Sequence, residues 1–149
     1  GTYTGTIIGE EDLTDASSVI DIPINPDSFE QRESEEDVEI EAGSREDTLG
    51  VSLKESALWY EVGSMDRQYS EYQYIVDGAN LLDQPQVEPL GLYNDPYRFP
   101  QPIISRDTIE VSVRRTPDAS GPETYFTKIR YVPIRDETAD AIERTWKGV

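Results

Sequence analysis

Along the chain, apolar positions mostly recur at every second residue, the period of a half-buried strand. Ile109, Val111 and Val113 alternate with Thr108, Glu110, Ser112 and Arg114 across residues 107–115. Residues 123–134 place Tyr125, Ile129 and Tyr131 on one side, and turn residues 116–122 precede them. The two segments predict a hairpin with an exposed tip at 118–121. Tyr72, Tyr74 and Val76 share a face in 69–76. Asp77-Gly78 follows as a turn signal, with 80–82 as the returning strand. Val38, Ile40 and Ala42 alternate with Asp37, Glu39 and Glu41, predicting a solvent-facing strand that ends at a Gly43-Ser44 turn. Residues 49–54 and 57–62 are further candidates, and 2–8 and 17–22 are short ones near the start.

The period changes once. Ala139, Ile142 and Trp146 fall at helical spacing within 136–147. Asp136 is a candidate cap, acids lead and bases trail, and Asp140–Arg144 and Glu143–Lys147 are i,i+4 pairs. Eight or so short strands and one terminal helix predict a mostly β fold, an antiparallel β-sandwich or jelly roll. The expected organisation is an N-terminal strand or arm (1–26), a sandwich (27–134) and a C-terminal helix (135–149). The helix needs a host, its own sheet or a neighbouring subunit.

Residues 84–102 break the pattern. They read QPQVEPLGLYNDPYRFPQP and hold five of the ten prolines. Each proline fixes φ and removes a backbone donor. The segment is expected to be an extended, ordered loop, packed on its own domain or on a neighbour.

Charge adds a second map. The chain of 149 residues carries 31 Asp and Glu against 13 Lys and Arg, a net charge of −18. Only Lys54, Lys128 and Lys147 are lysines. In ordinary buffer such self-repulsion opposes a compact fold. At about 1 M salt the Debye length is about 3 Å, and the repulsion is largely screened. The composition therefore points to a hypersaline setting. Residues 1–97 hold 23 acids and four bases, whereas 98–149 hold eight acids and nine bases. The near-neutral third is either a contact surface between acidic subunits or simply richer in core.

Composition also excludes chemistry. There is no His and no Cys, so the common triads, CxxC redox pairs and typical zinc sites are absent. No phosphate-binding glycine loop occurs. The negative charge repels nucleic acid, and the local bases Arg114, Arg115, Lys128 and Arg130 are expected to pair with carboxylates. No apolar run is long enough to span a membrane, and no secretory signal pattern is visible. Gly1 in place of Met fits initiator removal or a processed end. A carboxylate pair for hydrolysis can be found in almost any arrangement of so many acids, so no enzyme is expected. Glu10-Glu11-Asp12 and the acids of 33–37 are hard-oxygen clusters without EF-hand spacing, and solvated acidic faces are the plainer reading than structural Ca or Mg.

The run PYRFPQPIISRDTIEVSVRRT (96–116) resembles stretches of virion structural proteins of tailed viruses, and the acidic, Lys-poor background is similar to proteins of haloarchaea and their viruses. The resemblance implies a decoration, turret, neck or tail subunit of a virus particle. Its partners would be copies of itself and other virion proteins. Expected contact residues are Tyr93, Tyr97, Phe99, Arg114, Arg115, Lys128, Arg130 and Trp146. The alternative is a carbohydrate-binding module, with an exposed aromatic row among Trp59, Tyr69, Tyr72, Tyr74 and Tyr93.

Overall fold

A computed structural model describes residues 30–33 and 38–148. The candidate strands and acidic cluster of the first 26 residues lie outside them. So does most of the acidic run 33–37.

The fold is mostly β, with antiparallel sheets and one C-terminal helix. Strands are β1 (Glu30–Glu33), β2 (Val38–Ile40), β3 (Arg45–Ser52), β4 (Ser56–Gly63), β5 (Ser70–Val76), β6 (Ala79–Asn80), β7 (Gly91–Leu92), β8 (Asp95–Ser105), β9 (Thr108–Arg115), β10 (Glu123–Tyr125) and β11 (Lys128–Ile134). Helix α1 is Asp136–Lys147. One sheet has the order β1-β11-β4-β8-β7, a second β3-β9-β5-β6, and β10 pairs with β2 alone.

Period-2 alternation builds the space between the two large sheets. Ile109, Val111 and Val113 of β9 and Tyr72 and Tyr74 of β5 point inward. They meet Trp59 and Val62 of β4 and Ile129 and Tyr131 of β11. The outward residues of the four-stranded sheet are polar and mutually bonded. Arg114 pairs with Glu71 at 2.7 Å, and Arg45 donates to Ser112 Oγ at 3.0 Å. The expected solvent-facing strand at 38–42 is shorter and partly inward. Ile40 is fully buried in the core while Glu39 stays exposed.

The five-stranded sheet is covered on both faces. Leu58, Tyr60, Val132 and Ile134 face away from the first core and receive Ala139 and Ile142 of α1, with Ile104 and Trp146 at the margin. This explains why β4 reads as a nearly continuous apolar run. The helix thus docks on its own sheet. Its start differs from the expected cap. Arg135 is the N-cap and makes no side-chain cap bond. Asp136 instead accepts from Ser56 Oγ at 2.7 Å, tying α1 to the start of β4. Asp140 bonds Arg106 at 2.7 Å, and Glu143 meets Lys147 at 3.7 Å.

Two expectations are corrected. First, residues 123–134 are not one strand, and they form no hairpin with β9. Strand β9 pairs with β3 and β5, β10 pairs with β2, and β11 pairs with β4 and β1. The break is at Phe126-Thr127. There the Thr127 hydroxyl is buried in hydrogen bonds with Thr48 Oγ1 (2.8 Å) and Ser64 Oγ (2.9 Å). Alternation continues through the break, so periodicity does not mark it.

Second, the second half of the Pro-rich segment is a strand. β8 runs through Pro96, Pro100 and Pro102. The register against β4 jumps from Trp59↔Ile103 to Glu61↔Arg98, so residues 99–102 bulge opposite Tyr60 and need few ladder donors. Phe99 turns inward and packs edge-on against Trp59, with centroids 4.9 Å apart.

The predicted turn at Asp77-Gly78 is present. Its φ values of 53° and 83° suit a two-residue hairpin loop between β5 and β6. The Asp77 carboxylate also grips the β8–β9 turn. It accepts from the backbone N–H groups of Arg106, Asp107 and Thr108 and from Ser105 Oγ. Burial acts against this charge, but the four donors prevail and hold the carboxyl below its ordinary range.

Candidate interaction surface

Residues 84–97 form a ridge that crosses from the edge of one sheet to the edge of the other. The Tyr72 and Gln86 backbones pair at 2.7 and 2.9 Å. The Tyr74 hydroxyl accepts from Leu90 N at 2.6 Å, and burial pushes this phenol well above its ordinary value. Further on, Ser64 N donates to Gly91 O (3.3 Å) and Tyr93 N donates to Ser64 O (2.8 Å). The crossing with β4 is backbone against backbone. Gly91 has φ +73°, and a Cβ there would collide with Tyr97 N and lie 2.7 Å from Val62 O. A Cβ on Gly63 would collide with the Leu92 carbonyl. Only glycine fits both positions.

This stiff ridge exposes apolar side chains. Val87 is 75 % exposed, Leu92 46 % and Tyr97 37 %; Tyr69, at 51 %, is the fourth large exposed hydrophobic among the described residues. Three of the four therefore lie in the Pro-rich segment. Ordering a surface before it binds lowers the entropy lost on association, so a rigid apolar ridge is well suited to a protein partner.

The expected contact residues separate into groups. Tyr97 is on the ridge, edge-on to Phe99 at 5.5 Å. Tyr93 is half-buried, edge-on to Phe126 at 4.8 Å, with Lys128 Nζ 4.5 Å from its ring centre. Arg114 pairs with Glu71, and Arg130 with Glu61 at 3.1 Å. Trp146 packs half-buried beside the helix–sheet core. Phe99 and Arg115 are buried within the chain itself and so leave the contact surface. Arg115 serves as an internal clamp: Nε donates to Gly121 O (2.9 Å), and Nη1 to Gln68 O (3.3 Å) and Tyr125 Oη (3.1 Å). Val87 and Leu92 were missed by the pattern, because Val87 lies in irregular backbone and the two-residue strand β7 is too short to show alternation. Their only mark was being apolar within a proline-dense segment.

Pairing also explains the near-neutral last third. Its bases Arg98, Arg114 and Arg130 lie against Glu61 and Glu71 from the acidic part, and Arg106 lies against the helix acids. The balance reflects internal salt bridges across the sheets as well as core.

The aromatic row is not formed as expected. Trp59, Tyr72 and Tyr74 are buried between the sheets, because they share the inward face of their strands. Tyr69 stays at the surface, at the end of the sandwich near residues 66–68 and 115–123. It has φ 59°, a conformation that costs a bulky L-residue about 1–2 kcal/mol. Three bonds hold it there: Thr116 N to Tyr69 O (2.9 Å), and Ser70 Oγ and Arg115 Nη1 to Gln68 O (both 3.3 Å). Below it, Tyr72 Oη donates to Met65 O (2.5 Å) and accepts from Arg67 N (3.0 Å). Burial raises the Tyr72 phenol to about 12. The Tyr125 hydroxyl meets Ser70 Oγ.

Among the described residues, no group of three or more metal-ligating side chains comes together, and no helix is long and apolar enough to cross a membrane.

No family model matches the chain, and no curated protein matches it. Among solved structures, the chain is similar to the infectious bursal disease virus VP2 subviral particle at 8 % identity and TM-score 0.38, covering 76 % of this chain and 34 % of that one. The infectious bursal virus derived T=1 particle is similar at 7 % identity and TM-score 0.36, covering 76 % and 33 %. The chain thus spans about a third of the length of those proteins.

Proposed function

We propose that this chain is a structural subunit of a virus particle from a hypersaline setting, assembling with copies of itself through the ridge at 84–97. One observation carries the assembly reading. The exposed apolar side chains Val87, Leu92 and Tyr97 all belong to a segment locked by two glycine crossings, the Tyr72–Gln86 backbone pair and the Tyr74 hydroxyl. The resemblance of residues 96–116 and the acidic, Lys-poor composition support a decoration, turret, neck or tail component. Such a subunit would reside in the virion and need no catalytic residue or cofactor.

Apolar contact also suits the solvent. At about 1 M salt, charge attraction is screened beyond about 3 Å, whereas salts excluded from protein surface strengthen burial. Such a subunit associates through apolar area while its carboxylates keep the outer face hydrated.

The native mass in about 2–4 M salt, where repulsion is screened, tests the proposal. A homo-oligomer is expected, and a double substitution of Val87→Asp and Leu92→Asp should dissociate it while leaving the far-UV spectrum unchanged. A monomeric wild-type chain at high concentration, or an oligomer indifferent to both charges, rejects the ridge as the interface.

A further inference from the structure

We propose that the hollow at the end of the sandwich beside Tyr69 is a binding site for a neutral carbohydrate, with the Tyr69 ring as its stacking platform. The hollow has a volume of about 320 Å³ and is lined by Asp66, Arg67, Gln68, Tyr69, Ser120 and Glu123, with the Arg115 clamp behind them. It includes none of the ridge residues Val87, Leu92 and Tyr97, so it stands or falls separately from the assembly surface.

A turn that requires positive φ is met most easily by glycine or asparagine. Here a tyrosine occupies it, and half of its surface is open to solvent. Backbone strain retained at an exposed aromatic is an observation from which a functional role is inferred. Burial of the ring does not account for it.

The segment carrying Tyr69 is fixed through the Gln68 and Tyr69 carbonyls. It also rests on Tyr72, Tyr125 and Arg115, which are buried. Arg67 is held by Thr124 O at 2.6 Å and by Glu123 at 3.3 Å. A ligand entering here meets a fixed backbone and an Arg67–Glu123 pair already in place, which lowers the ordering cost of binding.

A pyranose presents an apolar C–H face and a rim of hydroxyl groups. An aromatic face matches the first. Planar carboxylate, amide and guanidinium groups match the second, and Asp66, Gln68, Glu123 and Arg67 supply all three kinds. The Asp66 and Glu123 carboxylates oppose a phosphate or an acidic sugar. Glu123 is already paired with Arg67, which weakens any pull on a cationic peptide. Ring stacking and short hydrogen bonds also survive screening, unlike longer-range charge attraction.

The test uses the whole chain in about 2 M NaCl, a salt level at which charge is screened. A panel of neutral oligosaccharides built from glucose, galactose, mannose and N-acetylglucosamine is read by saturation-transfer NMR and titration. At least one member should bind. Tyr69→Gly should then weaken it by about tenfold or more while leaving the melting temperature equal or higher, because glycine relieves the positive φ. Tyr69→Trp should retain binding. No bound member of the panel, binding unchanged in Tyr69→Gly, or binding only of an arginine-rich control peptide each overturns the proposal. A large fall in stability for Tyr69→Gly also overturns it, since the ring would then be a packing element.

Discussion

The two large sheets treat their outer faces in opposite ways. The five-stranded sheet is roofed by α1, and Leu58, Tyr60, Val132 and Ile134 pass into a second core. The four-stranded sheet leaves its outer face to water, with Glu71, Arg114, Arg45 and Ser112 bonded across it. One sheet therefore consumes its apolar surface internally, and the other has little to consume. Among the described residues, three of the four large exposed hydrophobics, Val87, Leu92 and Tyr97, lie instead at the flank, on the Pro-rich ridge that joins them. Exposed apolar area among the described residues thus gathers along the connecting segment rather than on the outer sheet faces.

Substitutions can break this contrast, and the largest effect belongs to the roofed face. Ile142→Ala should cost about 2–5 kcal/mol, because Ile142 is fully buried between helix and sheet. Urea denaturation measures it, and a loss below about 1 kcal/mol would show that the helix is dispensable to the sheet.

Gly91→Ala should follow closely. Positive φ and a collision with Tyr97 N together are expected to cost about 2–4 kcal/mol. Melting curves should fall, and amide exchange should quicken first in residues 84–94.

Asp77→Asn sharpens the contrast at the junction of the sheets, where one carboxylate gathers three backbone N–H groups and a hydroxyl. The expected loss is about 1–2 kcal/mol, at the lower end because the group is partly solvated. The folded state lowers this carboxyl's pKa. Its contribution is therefore present above the unfolded Asp value of about 3.9 and is lost as pH falls through the lower folded value. The wild-type and Asn variants should converge in stability in strong acid. A constant gap between them would remove the electrostatic account.

The smallest effect is expected on the open face. Burial, together with the neighbouring Asp47 carboxylate, raises the Glu110 carboxyl. Glu110→Gln should stabilise the fold at neutral pH by a few tenths of a kcal/mol, the scale of a like-charge cross-strand pair. The gain should shrink as salt rises. A loss of stability would mean that Glu110 makes a favourable contact that outweighs its repulsion from Asp47.

Legibility in the sequence followed the same contrast. Strands β5 and β9 were plain, since each has one wet and one dry face and period-2 alternation reports that directly. The terminal helix was equally plain from Ala139, Ile142 and Trp146. Strand β1 was not, because Glu30, Gln31 and Arg32 are all exposed at a sheet edge and show no alternation. The hollow beside Tyr69 was half legible. Tyr69 was among the candidate rings, but its positive φ and its separation from Trp59, Tyr72 and Tyr74 belong to the turn and the sheet pairing.

By itself the sequence determined the mostly β class, the C-terminal helix, the Asp77-Gly78 turn and the acid-rich surface. Each depends on composition or on neighbours a few residues apart. Tertiary structure decided which strand pairs with which, that β10 and β11 part company at Thr127, and that the prolines of β8 sit in a bulge. It also decided that Phe99 and Arg115 turn inward while Val87 and Leu92 stay out. Pairing partners and burial are set by segments distant in sequence, and a local pattern cannot carry them.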